Sequence, residues 1–111
     1  MNITRRQFGE FEQVLLYAVL SLQREEGGAN GPAIRKLIQK RTGRLVSPGA
    51  IYTALTRLED RGYVSSELGE PTAERGGKRK RLYEMRAAGQ AALRSAEANL
   101  ARMAGLARAR N

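Results

Sequence analysis

The sequence contains no cysteine and no histidine. Without cysteine there can be no disulfide framework and no thiolate metal site. Without histidine the chain lacks the usual metal ligand and the usual general base near neutral pH. It also has no phosphate-binding glycine loop and no paired carboxylates in an apolar setting. We therefore expect a protein that is not an enzyme and that needs no metal or other cofactor.

Long hydrophobic runs are absent as well. The longest, VLLYAVLSL at 14–22, is about half a membrane span. The N-terminus has no apolar stretch of the kind that follows the basic residues of a signal peptide. We expect a cytoplasmic protein with no membrane partner. The glycine pairs at 27–28 and 76–77 are flanked by charge, and we interpret both as turns.

Positive charge, in contrast, is abundant. Twenty Lys and Arg residues face eleven Asp and Glu residues, which gives a net charge of +9 over 111 residues. Such a balance indicates a polyanionic partner, most often nucleic acid and less often an acidic membrane surface. The densest basic run is ERGGKRKRLY at 74–83, which holds Arg75, Lys78, Arg79, Lys80 and Arg81.

The first predicted helix begins at Glu10 and should end near Glu26, before the segment GGANG. Its apolar residues follow the spacing of one helical face, namely Phe11, Val14, Leu15, Ala18 and Leu22. Four further residues make its second half apolar nearly all round: Leu16, Tyr17, Val19 and Leu20. In so small a chain, that second apolar side suggests cover from a second subunit.

Two shorter helices follow, and together they predict a helix-turn-helix. One runs from about Pro32 to Thr42 and is terminated by Gly43. The next has Ser47 as its N-cap and Pro48 as its first residue. Its inward face is predicted to contain Ile51, Ala54, Leu55 and Leu58. Its outward face is polar and contains Gly49, Tyr52, Thr53, Thr56, Arg57 and Asp60.

A hairpin is predicted directly after this third helix. Residues 63–68 alternate as a half-buried strand should, and residues 80–85 form the return strand. A reading-type helix followed by a two-stranded hairpin with a basic tip is typical of a winged helix, so the basic run becomes the wing. The alternatives are a nuclear-import signal and a solvated loop, but the run leads straight into a strand.

The last stretch, Ala87 to about Ala109, is alanine-rich and favours a helix. Leu93, Leu100 and Ala107 recur every seven residues, with Ala96 and Met103 between them and Leu106 beside them. This seam predicts a dimerisation helix, and packing within the same chain is the alternative. The predicted dimer interface combines the first and last helices: Phe11, Leu15, Leu16, Val19, Leu93, Leu100, Met103 and Leu106.

Four blocks of sequence occur in the order GEFEQVLLYAVL, VSPGAIYTALTRLEDRGYVSS, GGKRKRLYEM and AAGQAAL. In this order they resemble the PadR-type (phenolic acid decarboxylase regulator) winged-helix transcriptional regulators, over residues 9 to about 95. The resemblance implies a dimeric DNA-binding repressor, usually bacterial, whose last helix packs against the partner's first helix. It also implies DNA contacts from the helix-three tyrosine, Tyr52, and from the wing residues Lys78, Arg79 and Lys80.

The sequence departs from the family in two places. Many members begin the last helix after a capping Thr, where this chain has Met85-Arg86. Arginine cannot accept the N–H bonds that a cap accepts, and its charge opposes the helix dipole. We therefore expect that helix start to be frayed or capped by another group. A single helix after the wing marks a short form, for which no small-molecule effector is assigned.

The sequence thus predicts a mainly α protein with a small two-stranded β wing. Residues 1–86 would form a winged-helix DNA-binding domain and residues 87–111 a C-terminal dimerisation helix. The partners would be double-stranded DNA, bound as an inverted repeat, and a second copy of the chain. The DNA-binding residues would be Ser47, Gly49, Tyr52, Thr53, Thr56, Arg57, Arg75, Lys78, Arg79 and Lys80.

Two other classes of protein remain possible from the sequence. One is a non-specific architectural DNA-binding protein, against which the mostly uncharged outer face of the third helix argues. The other is a winged helix used as a protein-interaction module, in which the basic wing would have no evident purpose.

Overall fold

Four helices and three short strands make up the part of the protein that the computed structural model describes, residues 8–71 and 79–110. Their order along the chain is α1 (Glu10–Leu22), β1 (Ala29–Asn30), α2 (Gly31–Thr42), α3 (Pro48–Asp60), β2 (Val64–Leu68), β3 (Arg81–Met85) and α4 (Ala87–Ala109). The mainly α winged-helix architecture expected from the sequence is confirmed.

The ends of α2 and α3 follow from local capping chemistry. At α2 the Asn30 side chain accepts the Ala33 N–H at 2.9 Å, and Gly43 ends the helix in the left-handed region at φ 76°. At α3 the Ser47 hydroxyl accepts the Ala50 N–H at 3.1 Å. These bonds satisfy N–H groups that a helix start leaves without partners. The predicted caps at Ser47 and Gly43 are confirmed.

The first helix ends at Leu22, earlier than the Glu26 expected from the sequence. Gln23 is its C-cap residue, and the Gln23 side-chain oxygen accepts the Met85 N–H at 2.8 Å. The chain therefore turns into the sheet region before the glycine pair. Gly27 and Gly28 then complete the turn with φ values of 87° and 71°, which glycine adopts without steric cost.

The sheet has three strands, in the order β1-β3-β2, where the sequence predicted only two. The additional strand, β1, pairs antiparallel with β3 through Ala29 opposite Tyr83 and Asn30 opposite Leu82. A two-residue strand has no periodicity of its own, so it exists only because β3 lies beside it. Its pairing holds the start of α2 against the wing.

The hydrophobic core is centred on α1. Leu15, Leu16 and Val19 are fully buried, together with Ile34 of α2 and Leu55 of α3. Leu93, on α4, belongs to the same cluster. The structure therefore corrects part of the predicted dimer interface: Leu15, Leu16, Val19 and Leu93 are core residues of one protomer and offer no surface to a partner.

The start of α4 is held by the backbone and not by a side chain. Arg86 occupies the N-cap position with no side-chain capping bond, and its N–H donates to the Tyr63 carbonyl at 2.9 Å. At Gly89 a Cβ atom would lie 3.2 Å from the Tyr63 carbonyl carbon and closer still to its oxygen. Glycine thus permits the first turn of α4 to dock directly on the chain before β2.

One polar contact fixes α4 to α1 beyond this dock. The Tyr17 hydroxyl donates a hydrogen bond to the Glu97 carboxylate. Desolvation, this hydrogen bond and the Glu97 charge together raise the pKa of Tyr17 to about 12. The phenol therefore keeps its proton, and the bond its donor, well above neutral pH.

The second half of α4 extends away from the core. The radius of gyration is 16.0 Å, against about 13 Å for a compact chain of this length. Three large apolar side chains on this half are exposed: Leu100 (65%), Met103 (64%) and Leu106 (48%). They form an apolar stripe that the protomer itself does not cover.

The uncapped start of α4 generates a stability prediction. Replacing Arg86 with Ser should raise the free energy of unfolding by about 1 kcal/mol, or Tm by roughly 4 °C. The reason is that a serine hydroxyl at the N-cap can accept a bond from a backbone N–H in the first turn of α4. Arg86→Ala is the matched control, since it removes the charge without adding an acceptor. Thermal unfolding of both variants tests this, and a serine variant no more stable than the alanine variant would contradict it.

Candidate nucleic-acid interface

The third helix is divided lengthwise into a buried face and a polar face. Ile51, Ala54, Leu55 and Leu58 are buried, as predicted. The residues predicted for its outward face are all exposed, namely Gly49, Tyr52, Thr53, Thr56, Arg57 and Asp60, and so is the N-cap Ser47. No side chain stands at Gly49, so the N-terminal end of the helix is slim enough to enter a groove. Hydroxyl and guanidinium groups are the kinds of donor that reach base edges.

Tyr52 differs from the other exposed residues because its ring leans on a neighbouring element. Its side chain is 42% exposed, and its hydroxyl lies against Gly31, the first residue of α2. Tyr83 of β3 is close by and buried. That burial raises the pKa of Tyr83, with a smaller opposing effect from the Arg81 charge. The aromatic pair thus lies where α2, α3 and β3 meet.

The wing is described only at its root. Arg79 and Lys80 are exposed just before the return strand, which begins at Arg81 and not at residue 80 as predicted. Arg75 and Lys78, together with the Gly76-Gly77 pair, lie outside the described residues. These two cations therefore directly precede β3, whose central residue Tyr83 is buried in the core.

A chain of hydrogen bonds connects the end of α3 to both wing strands. The Ser66 hydroxyl on β2 bonds the Glu59 carboxylate at 2.9 and 3.0 Å. The same hydroxyl accepts a bond from the Arg81 guanidinium at 3.0 Å. Ser66 is opposite Tyr83 in the sheet register. This network links the end of α3 to the described parts of both wing strands.

Sequence reasoning missed four residues of this surface: Gly31, Glu59, Ser66 and Arg81. Three of them form the network above, and their roles depend on the β2–β3 register, which a hydrophobic pattern does not specify. Ser66 lies on the predicted strand β2, two residues after the buried Val64 and therefore on the same face. A polar residue on that inward face was the one signal in the sequence. Gly31 had been interpreted only as part of a helix-breaking segment.

A second surface feature is a groove of about 440 Å³ between α1 and α2. Its α1 wall is formed by Val14, Tyr17, Ala18 and Ser21, and its α2 wall by Leu37, Ile38, Arg41 and Thr42. The lining is mainly apolar. Of the residues predicted for a dimer interface, Phe11 is partly buried and packs against the core, while Leu100, Met103 and Leu106 are exposed on α4.

Among residues 8–71 and 79–110, no group of three His, Cys, Asp or Glu side chains is placed to hold a metal ion. Every helix within those ranges is too short or too polar to cross a lipid bilayer.

The fold has close structural relatives. A PadR-like transcription factor from Bacteroides fragilis superposes with a TM-score of 0.76 at 21% identity, covering 97% of this chain and 96% of that one. A transcriptional regulator from Clostridium thermocellum gives a TM-score of 0.67 at 21% identity, with coverages of 97% and 94%. PadR of Bacillus subtilis, solved in complex with operator DNA, gives 0.55 at 26% identity, covering 74% of this chain and 46% of that one.

Sequence comparison agrees with the fold. No curated protein matches the chain at a significant level. The model of the transcriptional regulator PadR-like family matches residues 19–95. This range includes α2, the polar face of α3, the wing and the start of α4, so it contains the described surface and most of the core, although Leu15, Leu16 and Ala18 of α1 precede it. The chain therefore belongs to the PadR-like family of transcriptional regulators.

Proposed function

We propose that the protein is a sequence-specific DNA-binding transcriptional repressor that binds an inverted-repeat operator as a homodimer. The observation that carries this proposal is the exposed polar face of α3, held next to the wing root by Glu59, Ser66 and Arg81. A helix of this kind fits the major groove, and a basic hairpin beside it reaches the flanking phosphates. The operator complex of the Bacillus subtilis relative supports the choice of DNA as the partner.

The residues of the surface divide into two roles. Thr53, Thr56 and Arg57 are assigned to base edges, because they project from the middle of the polar face. Arg79 and Lys80, with Arg75 and Lys78 beyond them, are assigned to phosphates. Tyr52 is assigned to a phosphate through its hydroxyl, since it lies at the edge of the face against α2. The Ser47–Gly49 end of α3 would enter the groove first.

The proposed dimer joins the two apolar features that one protomer leaves exposed. The stripe of Leu100, Met103 and Leu106 on α4 would pack in the α1–α2 groove of the second copy. Exposed apolar surfaces of this kind associate, and a symmetric pair would cover the stripe and the groove of both copies at once. Two reading helices would then face DNA about 34 Å apart, or a multiple of that distance, which requires an inverted repeat. Bound there in the cytoplasm, the dimer would repress by blocking promoter access.

The direct test is binding to the DNA upstream of the protein's own gene, measured against a scrambled duplex over a range of salt concentrations. We expect tight binding at an inverted repeat and weaker, salt-sensitive binding elsewhere. Equal affinity for both duplexes would indicate an architectural DNA-binding protein. No binding to either duplex at low salt would indicate a protein-interaction module.

The wing assignment predicts a change in salt dependence. Arg79→Gln with Lys80→Gln should weaken binding to all sequences together. Each lost phosphate contact should flatten the slope of log affinity against log salt by about 0.9. Arg94→Gln with Arg108→Gln removes the same charge from exposed positions on α4 and should leave the slope unchanged. An equal effect of the two pairs would show that net charge, not the wing, is responsible.

The reading helix predicts a change in specificity. Thr53→Ala and Arg57→Ala should each reduce the preference for operator over random DNA by about 1–3 kcal/mol, without unfolding the protein, because both side chains are exposed. Tyr52→Phe should lower affinity for every sequence and leave their ranking unchanged. Competition titrations with single-base operator variants measure both effects. A reordered ranking in the Tyr52 variant would contradict the division of roles.

The dimer predicts a change in assembly. Because Leu93 belongs to the core, the test uses side chains beyond it: Leu100→Gln with Met103→Gln should give a folded monomer by light scattering. Such a monomer should lose most of its preference for the operator, which is typically a thousandfold or more, and keep its non-specific binding. Ala101→Gln with Ala109→Gln, exposed positions outside the stripe, is the control and should remain dimeric. A stripe variant that stays dimeric with full operator affinity would refute the proposed interface.

A further inference from the structure

Gly31 lies at the point where the reading helix touches the start of α2. It is buried, and a Cβ atom built there would lie 2.5 Å from Cζ and 2.9 Å from Cε1 of Tyr52, with the hydroxyl oxygen closer still. Non-bonded carbon atoms normally approach to about 3.5–4.0 Å. The Tyr52 ring therefore occupies the space that any other residue at position 31 would fill.

The requirement at this position is one of space and not of backbone conformation. Gly31 is the first residue of α2 and is not among the glycines with positive φ, which are Gly27, Gly28, Gly43 and Gly62. An alanine there would be acceptable to the helix itself. Two hydrogen bonds of the Asn30 side chain hold this turn in place. Its oxygen accepts the Ala33 N–H at 2.9 Å, and its NH2 group donates to the Gly27 carbonyl at 3.2 Å.

A side chain at position 31 would therefore displace the tyrosine and not the helix. The α2 start is anchored by those bonds and by the pairing of β1 with β3. Tyr52, being 42% exposed, has room to swing toward solvent. The main result of a larger residue would be a misplaced hydroxyl on the DNA-facing surface.

We propose that Gly31 is a positioning residue of the DNA-binding surface: its missing side chain forms the seat that holds the Tyr52 hydroxyl at the start of α2. The inference rests on the proposed function, in which that hydroxyl bonds a phosphate. The start of α2 thereby positions a side chain of α3, so that both helices determine where the Tyr52 hydroxyl would meet the DNA backbone.

The test is a double-mutant cycle between positions 31 and 52, with DNA affinity and thermal unfolding as readouts. Gly31→Ala should weaken binding to operator and random DNA alike, by roughly tenfold, as Tyr52→Phe does. The salt slope should not change, because no charge is removed. In a Tyr52→Ala background, the further change Gly31→Ala should have no effect on affinity. Gly105→Ala, where a Cβ atom meets nothing within 4 Å, is the control and should bind normally.

The outcomes distinguish the positioning role of Gly31 from the proposed role of Tyr52 in phosphate binding. If Tyr52→Phe binds DNA as the native protein does, the phosphate role of Tyr52 fails and the seat has no functional meaning. If Tyr52→Phe weakens binding but Gly31→Ala does not, the seat is wrong and the proposed function stands. If Gly31→Ala unfolds the protein, stability should return with Tyr52→Ala. A double variant that stays unfolded would place the clash elsewhere and overturn the proposal.

Discussion

The packing of the apolar face of α1 is the constraint on which the other elements depend. Leu15, Leu16 and Val19 are fully buried, and α1 contacts α2, α3, α4 and the strands β1 and β3. The third helix, α3, can expose a polar face only because its opposite face is anchored in this cluster through Leu55 and Leu58. The same cluster receives Leu93 and so determines where α4 leaves the body. One buried surface thus orients both the polar face of α3 and the extended helix α4.

The network of Glu59, Ser66 and Arg81 extends that orientation to the wing. Val64 and Tyr83 are the residues of β2 and β3 that are buried in the core. The described wing residues beyond them are partly or fully exposed, so hydrophobic packing holds them less firmly. The Ser66 hydroxyl of β2 bonds Glu59 of α3 and accepts a bond from Arg81 of β3, and these bonds supply the attachment that packing does not. The proposed base-reading residues of α3 and the wing cations Arg79 and Lys80 would therefore be geometrically coupled, although Arg57 and Arg79 are 22 positions apart in sequence.

Elements with a strong local signal were predicted well from the sequence. Ser47 and Pro48 at one end of α3, and Gly43 at the end of α2, act through capping chemistry that needs no distant partner, so their boundaries were confirmed. The end of α1 was wrong because Gln23 bonds Met85, a partner 62 residues away. The strand β1 was missed for the same reason, since its two residues form a strand only beside β3.

The limits were similar at the functional surface. Periodicity identified which residues of α3 point outward, and all of them are exposed. It could not separate Leu93 from Leu100, which fall on one heptad seam although the first is in the core and the second in solvent. Nor could it show that Gly31 faces Tyr52, because that contact depends on how two helices cross. Sequence patterns assign residues to faces, while the packing of those faces assigns them partners.

The contact between Tyr17 and Glu97 has a mechanical consequence for the proposed dimer. It is the polar bond that ties α4 to α1 near the point where α4 departs from the core. Twelve residues of α4 follow Glu97, or about 18 Å at 1.5 Å per residue, so a rotation of about 10° at that point moves the far end of the helix by about 3 Å. That displacement is comparable to the rise of about one base pair. The Tyr17–Glu97 bond therefore lies near the point about which α4 would rotate. In the proposed dimer, the position of the far end of α4 would set the distance between the two DNA-binding surfaces.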